Sequence, residues 1–406
     1  MPKIWSAYRF IAISAALSVS PVSAEQQRQS VPLPPPFAQG VVSVDPQLQG
    51  RWINLEEGTR GLIIIPIMLN GQRLMAMLDT GVPTITVDAD WATRHGIEYQ
   101  AYEKVGSMGG GRSVQIGIAP MASLQIAGVH QTGGAIEVGD LKPLSSTAGV
   151  PIDALVGADF LSAYAITLDF DNHRIRFQPS GSPRPAGSIV PIQPRDNGQR
   201  FITKLMVGTR LLSPVMIDTG DNGSLTITHD AWTKSNAPLR MTNIASVGFN
   251  GDVFLSDIGR LDGVQFGNQR FDKVPVMFEQ IPLDRGDEAR IGMKLLDRFN
   301  VFLDMGQRVM VLSPRSTAPT PDPVTMSGIQ GSWSDTGLQI VHVMKGSPAE
   351  VVGLHPGERI CAVDGAKVTA DKQSPLKKWG LGPAGKVVSL TMCDGRTLPI
   401  TLREFY

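Results

Sequence analysis

One tripeptide occurs twice in this chain, each time where an apolar strand ends: Met77-Leu78-Asp79-Thr80-Gly81 and Met216-Ile217-Asp218-Thr219-Gly220. An apolar strand that closes on an acid, a hydroxyl and a glycine delivers one carboxylate to the edge of a core and then turns sharply away. One such carboxylate is ordinary. Two, from matching halves of one chain, can meet face to face and share a single proton, because like charges a few ångströms apart do not both ionise. A fold that uses both must bring the two strand ends together.

The surrounding sequence repeats in the same order. Leu62 to Leu69, the turn Asn70-Gly71 and Leu74 to Leu78 read as a β-hairpin that carries Asp79. Phe201 to Val207, Gly208 and Leu211 to Ile217 repeat it and deliver Asp218. A glycine-rich stretch follows each hairpin, Val105 to Gly111 and Ser246 to Gly251. Then come an apolar pair and a glycine, Leu155-Val156-Gly157, echoed around Arg290-Ile291-Gly292. Glycine there lets one strand end pass beside the acid-bearing loop without a side chain to clash. The offsets are nearly constant: 139 residues from Asp79 to Asp218, 135 from Gly157 to Gly292, and 135 from Asp169 to Asp304.

At this point the chain resembles the retropepsin-like aspartic proteases, over about two thirds of its length. The resemblance implies a mainly β fold of two lobes, residues 51–180 and 186–314, each of six or so strands, packed across a pseudo-twofold axis. It implies that Asp79 and Asp218 hold the catalytic water. Thr80 and Thr219 would lock the two loops through crossed hydrogen bonds, and Gly81 and Gly220 would permit the turns. The glycine-rich stretches read as flaps over a bound peptide, with Met108, Gly109 and Gly110 in one lobe and Phe249 and Asn250 in the other; a surface loop is the alternative. Two positions depart from the family pattern: Val82-Pro83 follows the first tripeptide and Asp221-Asn222 the second. Pro83 lacks a backbone donor, and Asp221 adds a third carboxylate beside the pair.

A Pro-rich linker, residues 315–325, leads to a last module at 326–406. Its Gly337-Leu338-Gln339-Ile340, Gly346-Ser347-Pro348-Ala349-Glu350, Gly353 to Ile360 and Val363-Asp364-Gly365 resemble a PDZ domain. Ser347 with Glu350 makes a capping box, Pro348 suits the first helical position, and Gly353 suits the helix end. The resemblance implies that the loop before Leu338 takes a peptide's C-terminal carboxylate, so that Gly337, Leu338, Gln339 and Ile340 bind peptide and the guest strand runs beside Ile340 to Val343. The second wall of the groove is expected within Asp371 to Trp379.

The N-terminus reads as an export signal: Lys3 and Arg9, the apolar run Phe10 to Val19, and the cleavage site Val22-Ser23-Ala24. The run is too short to span a bilayer and no cysteine stands nearby to carry a lipid, so a periplasmic or secreted chain without stable membrane insertion is expected; an uncleaved anchor is the alternative. Residues 25–50, with Val31-Pro32-Leu33-Pro34-Pro35-Pro36, read as an extended tether or a pro-segment. The two cysteines, Cys361 and Cys393, pair in a disulfide or stay as small buried hydrophobes. A formal net charge of zero gives no electrostatic reason for a nucleic-acid partner. The six histidines are scattered and none stands in a metal-binding pair at helical spacing, so neither a metal nor another cofactor is expected. The sequence therefore points to an aspartic endopeptidase acting on polypeptides, as a monomer because one chain carries both lobes. The alternatives are an inactive two-lobed peptide binder and a scaffold led by its PDZ domain.

Overall fold

The computed structural model describes residues 40–406 apart from 48–49, 57–60, 106–112, 234–239, 248–252, 280–285, 318–323 and 372–373. The expected signal segment and Pro-rich run lie outside the described residues, as do the flap candidates Met108, Gly109, Gly110, Phe249 and Asn250.

The first hairpin pairs Ile64–Leu69 with Gln72–Leu78 around Asn70 and Gly71, both at positive φ (48° and 79°). An Asn-Gly turn tolerates those angles and matches the twist of the flanking strands. The Asn70 side chain also accepts the backbone N–H groups of Ala122 and Ser123, at 2.9 and 3.0 Å, which ties the turn to the next strand. Alternate residues of the hairpin enter different cores. Ile63, Ile65, Ile67, Leu74, Ala76 and Leu78 face the main cluster, while Leu62, Ile64 and Met77 face a smaller one with Val82 and Leu155.

Each half builds a ten-stranded sheet, and a third sheet of six strands joins them. At the centre of the third sheet Tyr164–Asp169 runs antiparallel to Phe299–Asp304, with Ala165 opposite Asp304 and Leu168 opposite Val301. These are the segments that the repeat placed in register, so the junction is itself made from the two copies. The main apolar cluster is continuous across both halves. Asp304, fully buried, accepts hydrogen bonds from the Ser180 hydroxyl (2.7 Å) and the Gly181 N–H (2.8 Å), fixing the chain where it leaves the first half.

Two expectations are corrected. The sheets are larger than six or so strands, because three-residue strands such as Thr86–Asp88 and Ala154–Val156, wholly buried, are too short to show a period in sequence. Nor is all of 25–50 a tether: Val41–Val44 pairs antiparallel with Val129–Thr132 and adds an edge strand to the first sheet.

The last module forms its own sheet and its own core around Leu338, Ile340, Ile360, Val388, Leu390 and Ile400. Ser347 caps the helix Pro348–Val351 by accepting the Glu350 N–H at 3.2 Å, and Gly353 (φ 77°) ends it. The Glu350 carboxylate reaches back to the N–H of Gly346, one residue earlier than a capping box requires. Cys361 and Cys393 are joined in a disulfide.

This module is docked on the second half of the chain. The Gln330 side chain accepts the Ala245 N–H (2.7 Å) and donates to the Ala245 carbonyl (3.1 Å), so it stands in for a strand partner at the open edge of Met241–Val247. Asn243 accepts the Lys345 N–H at 2.9 Å and bonds the His342 ring, and Ile258, Met344 and Tyr406 close an apolar cluster beneath.

Candidate active site

Asp79 and Asp218 leave their strands at equivalent points. Ala154–Val156 lies parallel to Gln72–Leu78, and the Asp79 N–H donates to the Val156 carbonyl at 3.0 Å. In the other half Ala289–Ile291 lies parallel to Arg210–Ile217, and the Asp218 N–H donates to the Ile291 carbonyl at 2.9 Å. The glycines that end these supporting strands are sterically required. A Cβ on Gly157 would stand 2.5 Å from the Thr84 carbonyl oxygen, and one on Gly292 would stand 2.4 Å from that of Gly223.

The two loops clasp one another. The Thr80 N–H donates to the Thr219 hydroxyl and the Thr219 N–H to the Thr80 hydroxyl, each at 3.0 Å. Each hydroxyl then donates across the axis to a strand carbonyl, Thr80 to Ile217 at 2.7 Å and Thr219 to Leu78 at 2.8 Å. Every polar group of the clasp is thus satisfied in a site where both threonines are buried. One oxygen of each acid accepts a glycine N–H two residues on, Asp79 from Gly81 at 2.8 Å and Asp218 from Gly220 at 2.9 Å. A Cβ on Gly81 would meet the Asp218 carboxyl at 2.6 Å, and one on Gly220 would meet that of Asp79 at 2.3 Å, so only glycine lets the acids approach.

The acids are 8 % exposed each, and each carboxyl packs against the glycine of the opposite loop, Asp218 on Gly81 and Asp79 on Gly220. Burial and the neighbouring Asp218 hold the Asp79 carboxyl well above the usual carboxylate range. Burial raises Asp218 too, but the Arg290 guanidinium works against it. The pair therefore holds a proton that two separate surface aspartates would lose.

Residues 65–160 match the family model for an aspartyl protease, and residues 317–377 match that for a PDZ domain. The chain carries an aspartyl protease domain and a PDZ domain. The first match includes Asp79, Thr80, Gly81 and Gly157, and the second half of the chain repeats that substructure around Asp218. No curated protein matches the chain.

Sequence reasoning left Asp221 as a disturbing third carboxylate and missed its partner. Asp221 accepts the Gly223 N–H at 2.6 Å with one oxygen and the Arg290 Nε at 2.8 Å with the other. Arg290 Nε also lies 3.7 Å from Asp218, and its Nη2 lies 3.3 Å from Glu279. The signal was present in the repeat. Arg290 stands two residues before Gly292 as Leu155 stands two before Gly157, and Asp221 follows Gly220 as Val82 follows Gly81.

The PDZ groove needs a correction. Gly337, Leu338, Gln339 and Ile340 lie in the strand Gly337–Val343, which Ile329–Ser334 covers on one side, while Leu338 and Gln339 pair with Ile360 and Arg359 on the other. Ile340 is also bonded to the Glu358 carbonyl and the Gly357 N–H, and Leu338 and Ile340 are core residues. No guest strand fits beside those four residues. One edge strand of the sheet is Ile329–Ser334, the other being Thr397–Thr401, and the 3-10 helix Pro375–Leu381 lies next to the first, with Lys377 5.2 Å from the Trp333 ring. The helix expected within Asp371 to Trp379 is this one, which begins at Pro375 and runs past the expected end to Leu381.

Proposed function

We propose that the chain is an aspartic endopeptidase that hydrolyses peptide bonds in extended polypeptides, working as a single chain after export. The observation that carries this reading is the meeting of two buried carboxyls, one from each half, each packed on the other loop's glycine and held by a symmetric threonine clasp. One carboxylate is ionised and takes a proton from water as the oxygen attacks the scissile carbonyl carbon. The other is protonated and donates to the carbonyl oxygen. The tetrahedral product then collapses, the C–N bond breaks, and the amine leaves with a proton returned by the dyad. The Gly81 and Gly220 N–H groups and the threonine clasp hold the carboxyls in place through this exchange, so the protein does not reorganise during reaction.

The PDZ domain takes peptide C-termini in this reading, with the guest strand added at the free edge of Ile329–Ser334 and Pro375–Leu381 as the opposite wall. Docking of that domain on the edge strand Met241–Val247 sets the groove beside the protease domain. The test is cleavage of a denatured, extended protein by the wild-type chain and by Asp79→Asn. Fragments from the first and none from the second are expected; equal products from both would remove the dyad from the chemistry.

A further inference from the structure

The clasp is symmetric, but what surrounds the two acids is not. Leu155 lies opposite Met77 in the first half, and Arg290 lies opposite Met216 in the second, with the same parallel pairing. Around Asp79 the positions after the tripeptide and before the supporting glycine are Val82 and Leu155, both in an apolar cluster with Ile64 and Met77. Around Asp218 the same positions are Asp221 and Arg290, joined as an ion pair. One backbone therefore carries an apolar pair on one side and a charged pair on the other.

We infer that Arg290 is a positioning residue that makes the two acids chemically distinct, holding Asp218 as the anion that activates water and leaving the proton on Asp79. The inference rests on the endopeptidase reading for its chemistry but not for its geometry. Asp218 is faced by Asp79 from the opposite loop, Asp221 from its own loop and Arg290 from the strand Ala289–Ile291; Glu279, at the end of Val274–Glu279, faces Arg290 from behind. Arg290 is the one cation among these groups. Its Nε is shared between Asp221 at 2.8 Å and Asp218 at 3.7 Å, so Asp221 orients the guanidinium and the guanidinium places positive charge beside Asp218. Among the described residues no equivalent cation acts on Asp79, and the positions that match Asp221 and Arg290 are the apolar Val82 and Leu155. The direction of the two acids' proton affinities agrees: burial raises both, the Asp218 charge raises Asp79 further to well above the ordinary range, and at Asp218 the Arg290 guanidinium opposes the rise more strongly than Asp221 adds to it. A proton shared between unequal acids stays with the one whose anion is worse stabilised.

The experiment titrates each acid alone by carboxyl carbon NMR, in Asp79→Asn to read Asp218 and in Asp218→Asn to read Asp79. Asp218 is expected to titrate at lower pH than Asp79, by about one unit or more. The same comparison is then made with Asp221→Val and Arg290→Leu together, which installs the pair that the first half already accommodates on the same backbone. The two acids should then titrate alike. Equal titration with Arg290 present would overturn the inference, and so would a difference that survives the double substitution. Arg290→Lys and Arg290→Gln keep the test open if the apolar pair fails to fold: lysine should retain the order and glutamine should lose it, and identical titrations in the two would also overturn it. In turnover, Arg290→Gln should move the acid limb of the kcat/KM profile to higher pH by about one unit, with Arg290→Lys restoring most of it. Because the titration reads carboxyls rather than products, a chain that cleaves nothing but keeps the split removes the endopeptidase reading and leaves the role of Arg290 standing.

Discussion

Thr80 and Thr219 each accept the other's backbone N–H at 3.0 Å, across the axis that relates the two halves of one chain. Because each hydroxyl also donates to a strand carbonyl on the far side, the pair makes four hydrogen bonds with no water needed. The loops that carry Asp79 and Asp218 are thereby fixed relative to each other as well as each to its own sheet.

Thr219→Val keeps the side chain's shape and removes the clasp's hydroxyl, leaving the Thr80 N–H without an acceptor in a buried site. A loss of about 1–3 kcal/mol in unfolding free energy is expected, together with a fall in turnover larger than that of Thr219→Ser. Chemical denaturation and peptide hydrolysis measure the two. The double substitution Thr80→Val with Thr219→Val should cost less than the sum of the singles, since both act on one network.

Asp79 makes stability depend on pH in a direction opposite to that of a salt-bridged acid. Its folded-state proton affinity is raised, so the folded chain binds a proton that the unfolded chain releases. The stabilisation is fully present below the unfolded aspartate value, about 3.9, and is lost as pH rises through the raised folded value. Asp79→Asn should therefore melt above wild type at pH 7 and lose that advantage near pH 4. A melting difference that is constant between the two would contradict the raised affinity.

Deleting Met326 to Tyr406 uncovers Ile258 and the edge of Met241–Val247 that Gln330 now covers. A lower unfolding midpoint and faster amide exchange along Met241–Val247 are expected in the truncated chain. Gln330→Ala in the full chain should give a smaller change confined to the same strand. Exchange in that strand unaffected by truncation would show the docking to be energetically silent.

The Cys361–Cys393 bond closes a loop of 32 residues within the PDZ domain. Replacing both cysteines with alanine should cost that domain about 3–4 kcal/mol. The loss should be seen in the unfolding transition of the PDZ domain, with the strands around Asp79 and Asp218 keeping their exchange protection.

Much of the architecture was legible because the sequence states it twice. The hairpins that end at Asp79 and Asp218 are apolar-rich strands broken by turn residues that sit at positive φ, Asn70-Gly71 and Gly208, and the two supporting glycines keep their spacing from them. What escaped notice has physical reasons. Val41–Val44, three valines in four residues bounded by Gly40 and Asp45-Pro46, carries a local strand signal, but the Pro-rich run before it and a partner far along the chain, Val129–Thr132, let it pass as part of the tether. In the PDZ domain Gly337–Val343 has the clear apolar alternation of a strand because it is buried between neighbours, whereas Ile329–Ser334, with Gly331 and two serines, looks like a loop and forms the sheet edge. Arg290 was passed over because the comparison of repeats tracked the acids and glycines that match. The informative positions were those that differ together, Val82 with Leu155 against Asp221 with Arg290.

In the proposed function one chain assembles a working pair of aspartates from its own two halves. The decisive assay is cleavage of a denatured, extended protein by wild type, Asp79→Asn, Asp218→Asn and a co-refolded mixture of the two variants. Products are expected from wild type alone, since every cleft in the mixture keeps one asparagine. Products from either single variant would contradict the shared-proton chemistry, and products from the mixture would show that the active site is built between chains.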